Sequence, residues 1–417
     1  MKSDRPSILF ISSIWPLSRS FGAQQRILKI SRLLKEIGDL SLIVVNGTSP
    51  IDTETLHRTA QEFDLKAVAE TKALNKRGLL HRLRHELDPG YLVTVPSRVA
   101  EEERRKLLKW FQEYNLIWIH TIRTANVFQI ERWPHSVLDI DDIPSRLYSS
   151  SAQAETKFVR SLLDKRMSWI WRRRESRLLS RFGVLVVCSE GDREYLGNSN
   201  RIHVIPNGFD APEAVPVRVP SVPPRLGFIG TFKWWPNEQG VKWFIQEVWP
   251  AIKRQVPEVE LRLIGSGSEG DISRLGSDIQ GLGWVTDPGP EIATWTAMVV
   301  PIQIGGGTRI KIAEGFARKC PVVSTSLGAY GYDVANKEEL LLADSADGFA
   351  AACVALLKSR ELCNRLAEKA FVKFLDRWTW DSFSSRVEAA VRDCLEKQSD
   401  QHSKERGGST GVACPTQ

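Results

Sequence analysis

The chain repeats one pattern twice. Short apolar runs rich in β-branched residues alternate with longer stretches whose apolar residues recur at helical spacing. In the first half the runs are 8–12, 40–45, 116–122, 136–140, 184–188 and 203–205. The clearest helix is 23–37, where Ile27, Ile30, Leu33, Leu34 and Ile37 share a face. Residues 209–225, "FDAPEAVPVRVPSVPPR", hold five prolines and no helical period. Proline fixes φ and removes a donor, so this segment reads as a stiff linker. Behind it the pattern resumes, with runs at 226–229, 260–264, 281–285, 298–304, 321–325 and 340–343 and helices over 238–254, 346–358 and 360–374. Strands separated by helices call for a parallel sheet covered on both faces. The prediction is an α/β chain of two Rossmann-like domains, 1–208 and 226–376, facing across a cleft and joined at 209–225. Ligands of such sheets bind beyond the carboxyl ends of the strands, so two facing sheets offer one site each.

Composition agrees with a globular chain: 417 residues, 42% hydrophobic and 26% charged. No run reaches the roughly 18 apolar residues of a transmembrane helix, and 8–12 is too short for a signal peptide. A cytoplasmic protein is expected. The six cysteines (188, 320, 353, 363, 394 and 414) form no C-x-x-C pair and show no zinc spacing, so they read as reduced thiols, with no metal site. The net charge of +7 admits an anionic partner. It is concentrated in two stretches of helical period, 71–87 and 157–183. The second carries Lys157, Arg160, Lys165, Arg166, Arg172, Arg173, Arg174, Arg177 and Arg181 against Asp164 and Glu175 alone, with Trp169 and Trp171 interleaved. Such a helix can lie on an anionic membrane surface. A solvated charged face with the tryptophans packed inward is the other reading. No nucleic-acid module is present. Residues 397–417 are polar and predicted to be disordered.

The richest chemistry lies in "PIQIGGGTRIKIAEGFARKCPVVST", residues 301–325. An apolar run ends in Gly305, Gly306 and Gly307, a helix follows from about Thr308 to Arg318, and a second apolar run closes the unit. A helix N-terminus presents unpaired N–H groups to an anion, and the glycines let a ligand approach the backbone. Arg309 and Lys311 add positive charge, and Glu314 lies one to two turns in, where a carboxylate can accept from hydroxyls. Phosphates plus hydroxyls suggest a nucleotide sugar; a turn whose glycines serve only chain reversal is the bland alternative. Another loop, "LRLIGSGSEG" (261–270), matches G-x-G-x-x-G. It leaves too little chain for a crossover helix before the next run, so a dinucleotide site is rejected.

Taken together, "VLVVCSEGDREYL" (184–196), "IHVIPNGFD" (202–210), "LGFIGTFKWWPNEQGVKWFIQEVWPAIKRQVPEVELRLIGSG" (226–267) and "VVPIQIGGGTRIKIAEGFARKCPVVSTSLGAYGYD" (299–333) resemble family 4 (group 1) of the glycosyltransferases, with its two-domain GT-B fold. "RWTWDSF" (377–383) resembles the aromatic segment from which the last helix, 377–396, returns to the first domain. The likeness spans roughly 6–396 and is stronger in the second half.

The resemblance implies a retaining, metal-independent hexosyltransferase using a nucleotide-diphosphate sugar, with a glycan or lipid-linked acceptor, acting in cell-surface polysaccharide biosynthesis. It places Glu314 at the second glutamate of the family's E-x7-E motif, on the donor ribose. Thr308, Arg309 and Ile310 would offer N–H groups to the diphosphate, Lys233 and Lys311 its neutralising charge, and Gly230 and Gly307 close approach to it. Gly22 and Ala23 match the acceptor-side glycine loop. Two positions depart from the pattern. Gly306 stands where the first glutamate would be, which leaves open how the donor sugar hydroxyls are held. Asp141 and Asp142 stand where many members carry a histidine near the reacting sugar, and Asp142 aligns better. An aspartate there could orient the acceptor hydroxyl or take its proton; a strand-end cap is the alternative. His120, ending "LIWIH", is a further cleft candidate or a buried core histidine. A degenerate GT-B protein that binds donor or glycan without turnover, and a membrane-surface scaffold, remain as other functions.

Overall fold

A computed structural model of the chain describes residues 5–18, 22–46, 52–73, 78–80, 83, 97–155, 157–270 and 276–407, with side chains as far as Glu396 in the last helix. The first sheet has eight strands in the order β4-β3-β2-β1-β5-β6-β7-β8. These are β1 Ser7–Ser12, β2 Asp39–Asn46, β3 Asp64–Ala73, β4 Ser97–Val99, β5 Leu116–His120, β6 Ser136–Ile140, β7 Val184–Val187 and β8 Ile202–Val204. All pairs are parallel except β3 with β4. The central strands are apolar on both faces because both are covered. Ile8 and Phe10 pack with Ile27, Ile30 and Leu34 of the helix Ala23–Ile37. Leu9 and Ile11 pack with Leu107, Phe111 and Phe128 on the other side.

The second sheet has six parallel strands in the order β11-β10-β9-β12-β13-β14. They are β9 Arg225–Ile229, β10 Glu260–Ile264, β11 Ile279–Gly281, β12 Ala297–Val300, β13 Val322–Ser324 and β14 Leu341–Leu342. Two α/β domains with a returning helix are thus observed, as the sequence predicts.

Several boundaries differ, each for a local reason. The run predicted over 116–122 ends at His120; Thr121 has φ 69° and caps the short helix Ile122–Asn126. The run over 298–304 ends at Val300, because Pro301 has no N–H to continue the ladder. The strand predicted at 281–285 lies earlier, at Ile279–Gly281. The helix predicted over 238–254 begins at Trp235 and is interrupted by a π turn, Phe244–Val248, before Trp249–Gln255. Pro250 cannot donate to the carbonyl four residues back, and the widened turn absorbs that mismatch. Strands β3 and β4 are not anticipated. Within the basic stretch 71–87, predicted to be helical, residues 71–73 are strand and most of the remainder lies outside the described residues.

The proline-rich segment is strapped onto the second domain. Val219 N–H donates to Ala293 O at 3.0 Å and Ser221 N–H to Thr294 O at 2.9 Å. Beside it the chain crosses back. Phe209 N–H donates to Trp378 O at 3.0 Å, and Trp380 N–H to Phe209 O at 3.3 Å. A Cβ on Gly208 would lie 2.8 Å from the Phe383 ring and 3.0 Å from Trp378 O, so only glycine fits at this crossing. Trp378 packs on Tyr332 and Phe316 with ring centroids 5.2 and 5.8 Å apart. The last helix, Ser384–Gly407, then buries Val387, Ala390, Val391 and Cys394 against the first domain. It runs on into the stretch 397–417 that the sequence sets aside as a tail; 408–417 lie outside the described residues.

Candidate active site

The carboxyl ends of β6, β9 and β12 meet between the domains. The helix Ile310–Ala317 follows the glycine loop, within the span of about Thr308 to Arg318 that the sequence predicts. Its first turn packs tightly on β9. Lys311, 8% exposed, donates to Asn237 Oδ1 at 2.8 Å and sits 4.1 Å from the centroid of Phe228. A Cβ on Gly230 (φ +158°) would lie 2.9 Å from Lys311 Nζ. Burial pushes the Lys311 amine well below its ordinary pKa; Arg309 pushes the same way and Glu314 opposes. Glu314 is also buried, and burial raises its pKa against the pull of Arg318, whose Nε donates to it at 3.1 Å. A cation and a carboxylate thus line one helix face with their charges poorly solvated. Groups perturbed in this way cluster at functional sites. Lys233 stands exposed on the loop after Gly230, so of the two predicted cations the structure brings Lys311, not Lys233, to the buried floor.

The glycine loop presses on the first domain. A Cβ on Gly306 would come within 2.6 Å of Ile143 O and 3.1 Å of Leu147 N. One on Gly307 would meet Asp142 Oδ1 at 2.5 Å. The departure at 306 therefore has a steric cause: no side chain fits there with the domains in this arrangement. Gly305 N–H donates to Ser150 Oγ at 2.9 Å across the same seam.

Asn207, 3% exposed, ties the two domains. Its Nδ2 donates to Asp141 Oδ1 at 2.8 Å and to Thr308 Oγ1 at 3.0 Å. Tyr332 O–H donates to Arg309 O at 3.1 Å. The two aspartates separate in role: Asp141 is engaged by Asn207, whereas Asp142 faces Arg309 Nη1 at 3.7 Å across the cleft. The Asp142 side chain is 35% exposed. Desolvation pushes it up to about 6, with Arg309 opposing and Asp141 reinforcing.

Beneath the first-domain half lies an ion pair that the sequence analysis does not single out. Arg26, fully buried, donates to Asp139 from Nη2 at 2.7 Å and from Nε at 3.1 Å, and from Nη1 to Ile205 O at 2.9 Å and Asn207 Oδ1 at 3.1 Å. Burial alone would lower the guanidinium's pKa; Asp139 overrides it and the net direction is upward. The signal was present: Arg26 shares the helical face of Ile27, Ile30 and Leu34, and Asp139 interrupts an otherwise apolar strand. Asn207 likewise lay inside the quoted "IPNGFD". His120 is 1% exposed and neither ring nitrogen has a hydrogen-bond partner. Burial lowers its pKa despite Asp139 and Asp141. Gly22 (φ +86°) caps the helix that begins at Ala23, and a Cβ there would meet nothing within 4 Å. Its glycine serves conformation.

A second contact across the domains involves Tyr330. Its O–H donates to Asp192 Oδ1 at 3.0 Å, it accepts from Arg146 and from Ser189, and its ring lies 4.3 Å from the Arg146 guanidinium. A recess of about 550 Å³ between the domain-joining segment and the second domain, lined in part by Phe209, Asp287, Gly289 and Arg318, opens one helical turn from Glu314. A larger one of about 580 Å³, lined in part by Arg218, Lys319 and Arg360, lies away from the strand ends. In the loop after β10, Gly265 and Gly267 have positive φ, and a Cβ on Gly267 would lie 3.3 Å from Phe232 Cβ; residues 271–275, where a crossover helix would begin, lie outside the described residues.

Residues 223–359 match the model of the family "Glycosyl transferases group 1". A phosphatidyl-myo-inositol mannosyltransferase of Mycolicibacterium smegmatis is 24% identical over 304 residues, 70% of this chain and 74% of the relative. Among solved structures, the sucrose-phosphate synthase of Thermosynechococcus elongatus superposes with a TM-score of 0.68 at 14% identity, covering 94% of this chain and all of that one. Anabaena HepE, in complex with UDP and glucose, superposes with a TM-score of 0.64 at 16% identity, covering 93% of this chain and 100% of that one.

Proposed function

We propose that this chain, a glycosyltransferase of the group 1 type with the GT-B fold, moves a sugar from a nucleotide-diphosphate donor to a glycan or lipid-linked acceptor, with retention of configuration, in the assembly of cell-surface polysaccharide. The arrangement that carries this reading is the buried set Asn237, Lys311 and Glu314, with Gly230 against Lys311, around the N-terminus of the helix Ile310–Ala317. A diphosphate at that N-terminus would meet the N–H groups of Thr308, Arg309 and Ile310, and its negative charge would favour the charged form of Lys311 against the burial that disfavours it. Glu314, one turn on, would accept from ribose hydroxyls. The site brings its own cations in Arg309 and Lys311, so the proposal assigns it no metal. HepE holds UDP and glucose, and the curated relative is named for a phospholipid, phosphatidyl-myo-inositol. Both support a sugar nucleotide on one side and a glycan or lipid acceptor on the other.

In the reaction, the bond from the anomeric carbon to the diphosphate oxygen breaks as the acceptor oxygen bonds to that carbon. Charge grows on the leaving diphosphate, where preorganised donors count most. The acceptor proton passes to a base; Asp142, facing Arg309 across the cleft, is the candidate. Gly22 and Ala23 are assigned to the acceptor side. Gly306, in place of a glutamate, favours a second reading, a protein that binds its donor without turnover. Product formed from any donor excludes it.

The test is a thermal-shift screen against UDP, GDP, TDP and ADP. At about a hundred times its dissociation constant a ligand stabilises by about 2.7 kcal/mol. One nucleotide should shift the transition, and Glu314→Ala should abolish the shift. A shift that survives in Glu314→Ala would remove the donor from this helix.

A further inference from the structure

Among the described residues, the helix Phe158–Glu175 leaves an apolar face unpartnered. Phe158 is 80% exposed, Val159 70%, Leu162 57% and Leu163 52%. Their spacing, i, i+1, i+4 and i+5, places all four on one side of the first two turns. Both acids of this helix are turned inward. Asp164 accepts from Ser151 Oγ, and Glu175, 3% exposed, accepts from the Ser145 N–H at 2.8 Å. Lys157, Arg160, Lys165, Arg172 and Arg173 remain exposed. Of the two tryptophans, Trp171 is buried, whereas Trp169 is 52% exposed with the Arg173 guanidinium 4.8 Å from its ring. Arg174 and Arg181 are also buried, so the outward charge is narrower than the sequence suggests. A groove of about 320 Å³ lies further along the same helix, lined by Ser149, Gln153, Lys165, Ser168, Trp169 and Arg172 among others, with Arg172 also donating to Tyr195 O at 2.7 Å.

We propose that this face is a docking surface for an anionic lipid bilayer, with Phe158, Val159, Leu162 and Leu163 entering the acyl boundary and Lys165 and Arg172 receiving lipid phosphates at the groove. Charge complementarity selects the occupant. Glu155, 15% exposed and 3.9 Å from Arg160, is the acid at this rim, which is otherwise positive; a protein partner or a second copy would have to bring its own acids to it, whereas an anionic leaflet supplies apolar depth and negative charge together. An exposed tryptophan beside them suits the interface, where an amphipathic ring is favoured. The groove's other wall is the helix Pro144–Ala154, whose start, Ile143 and Leu147, packs on the Gly306 loop. Docking would therefore hold the cleft near the leaflet. The inference does not depend on glycosyl transfer.

Flotation of the full chain with vesicles tests it, without any donor. Binding is expected to phosphatidylcholine vesicles containing phosphatidylglycerol, and to weaken as salt rises. Replacing both cations, Lys165→Gln with Arg172→Gln, should weaken it about thirtyfold at roughly one kcal/mol per cation. Phe158→Ser with Leu162→Ser, which leaves the charge unchanged, should weaken it at least about tenfold. These side chains are exposed, and an unchanged circular-dichroism melt will show that the variants fold. Equal binding to neutral vesicles, or wild-type binding by the Phe158→Ser/Leu162→Ser pair, overturns the proposal. So does a dimer in sedimentation velocity that this pair dissociates, which would make the face a contact between copies.

Discussion

At the residue scale, burial has set the titration of the groups that face the cleft. Asp142 is pushed up to about 6, mainly by desolvation. The sign follows from linkage. The folded state holds this proton more tightly than the unfolded chain, so the group's contribution to stability falls as pH rises from about 4 to about 6. Activity runs the other way if the carboxylate is the base. kcat/KM should rise through pH 6 and level off above it, and Asp142→Asn should remove that limb and lower the plateau by about a hundredfold or more. A rate profile with the wild-type limb intact in Asp142→Asn would exclude this role. The ion pair of Arg26 and Asp139 belongs to a different class. It is wholly buried and links the first helix, β6 and the segment at Asn207, so it positions the residues around Asp141 without facing the cleft itself.

At the element scale, the glycine loop is shaped by what it touches. The absence of a glutamate at 306 reads in the sequence as a departure from the family pattern. The structure supplies the reason, since Ile143 O lies 2.6 Å from where a Cβ would be. Restoring the glutamate should therefore harm the enzyme. Gly306→Glu must push the loop from the helix Pro144–Ala154, and an overpacked contact of this kind costs about 1–3 kcal/mol. Transfer should fall, and the nucleotide-induced thermal shift should shrink. Activity at or above wild type would show that the seam opens freely in the working enzyme. The π turn at Phe244–Val248 is a second case in which one residue, Pro250, reshapes an element whose apolar period is otherwise helical.

At the scale of the whole molecule, the returning segment joins the domains more firmly than the proline-rich strap alone could. Val387, Ala390, Val391 and Cys394 are buried on the first domain, and Trp378, Trp380 and Phe383 sit at the crossing. Burying the two valines at about 2 kcal/mol each, with smaller terms from Ala390 and Cys394, amounts to about 6 kcal/mol. That approaches the whole stability of a typical domain, about 5–15 kcal/mol. A chain ending at Phe383 should lose its single cooperative urea transition, while one ending at Glu396 should keep it. A cooperative transition of wild-type midpoint in the shorter chain would show that the first domain does not depend on this helix.

The amino-acid sequence by itself determined what depends on local periodicity and local chemistry. The β-branched runs and the face of Ile27, Ile30 and Leu34 specify strands and helices before any tertiary contact, and five prolines mark the junction between domains. The glycines, Thr308, Lys311 and Glu314 announce an anion site because they are contiguous. Strands β3 and β4 escaped because charged residues break their apolar pattern and pairing with β2 supplies what local propensity lacks. Only the tertiary structure decided which cation reaches the floor, that Asn207 bridges Asp141 and Thr308, that Trp171 is inside and Phe158 outside, and that 306 must be glycine. Each of these depends on atoms far apart in the chain, and a sequence carries no distance between them until the two sheets are set facing each other.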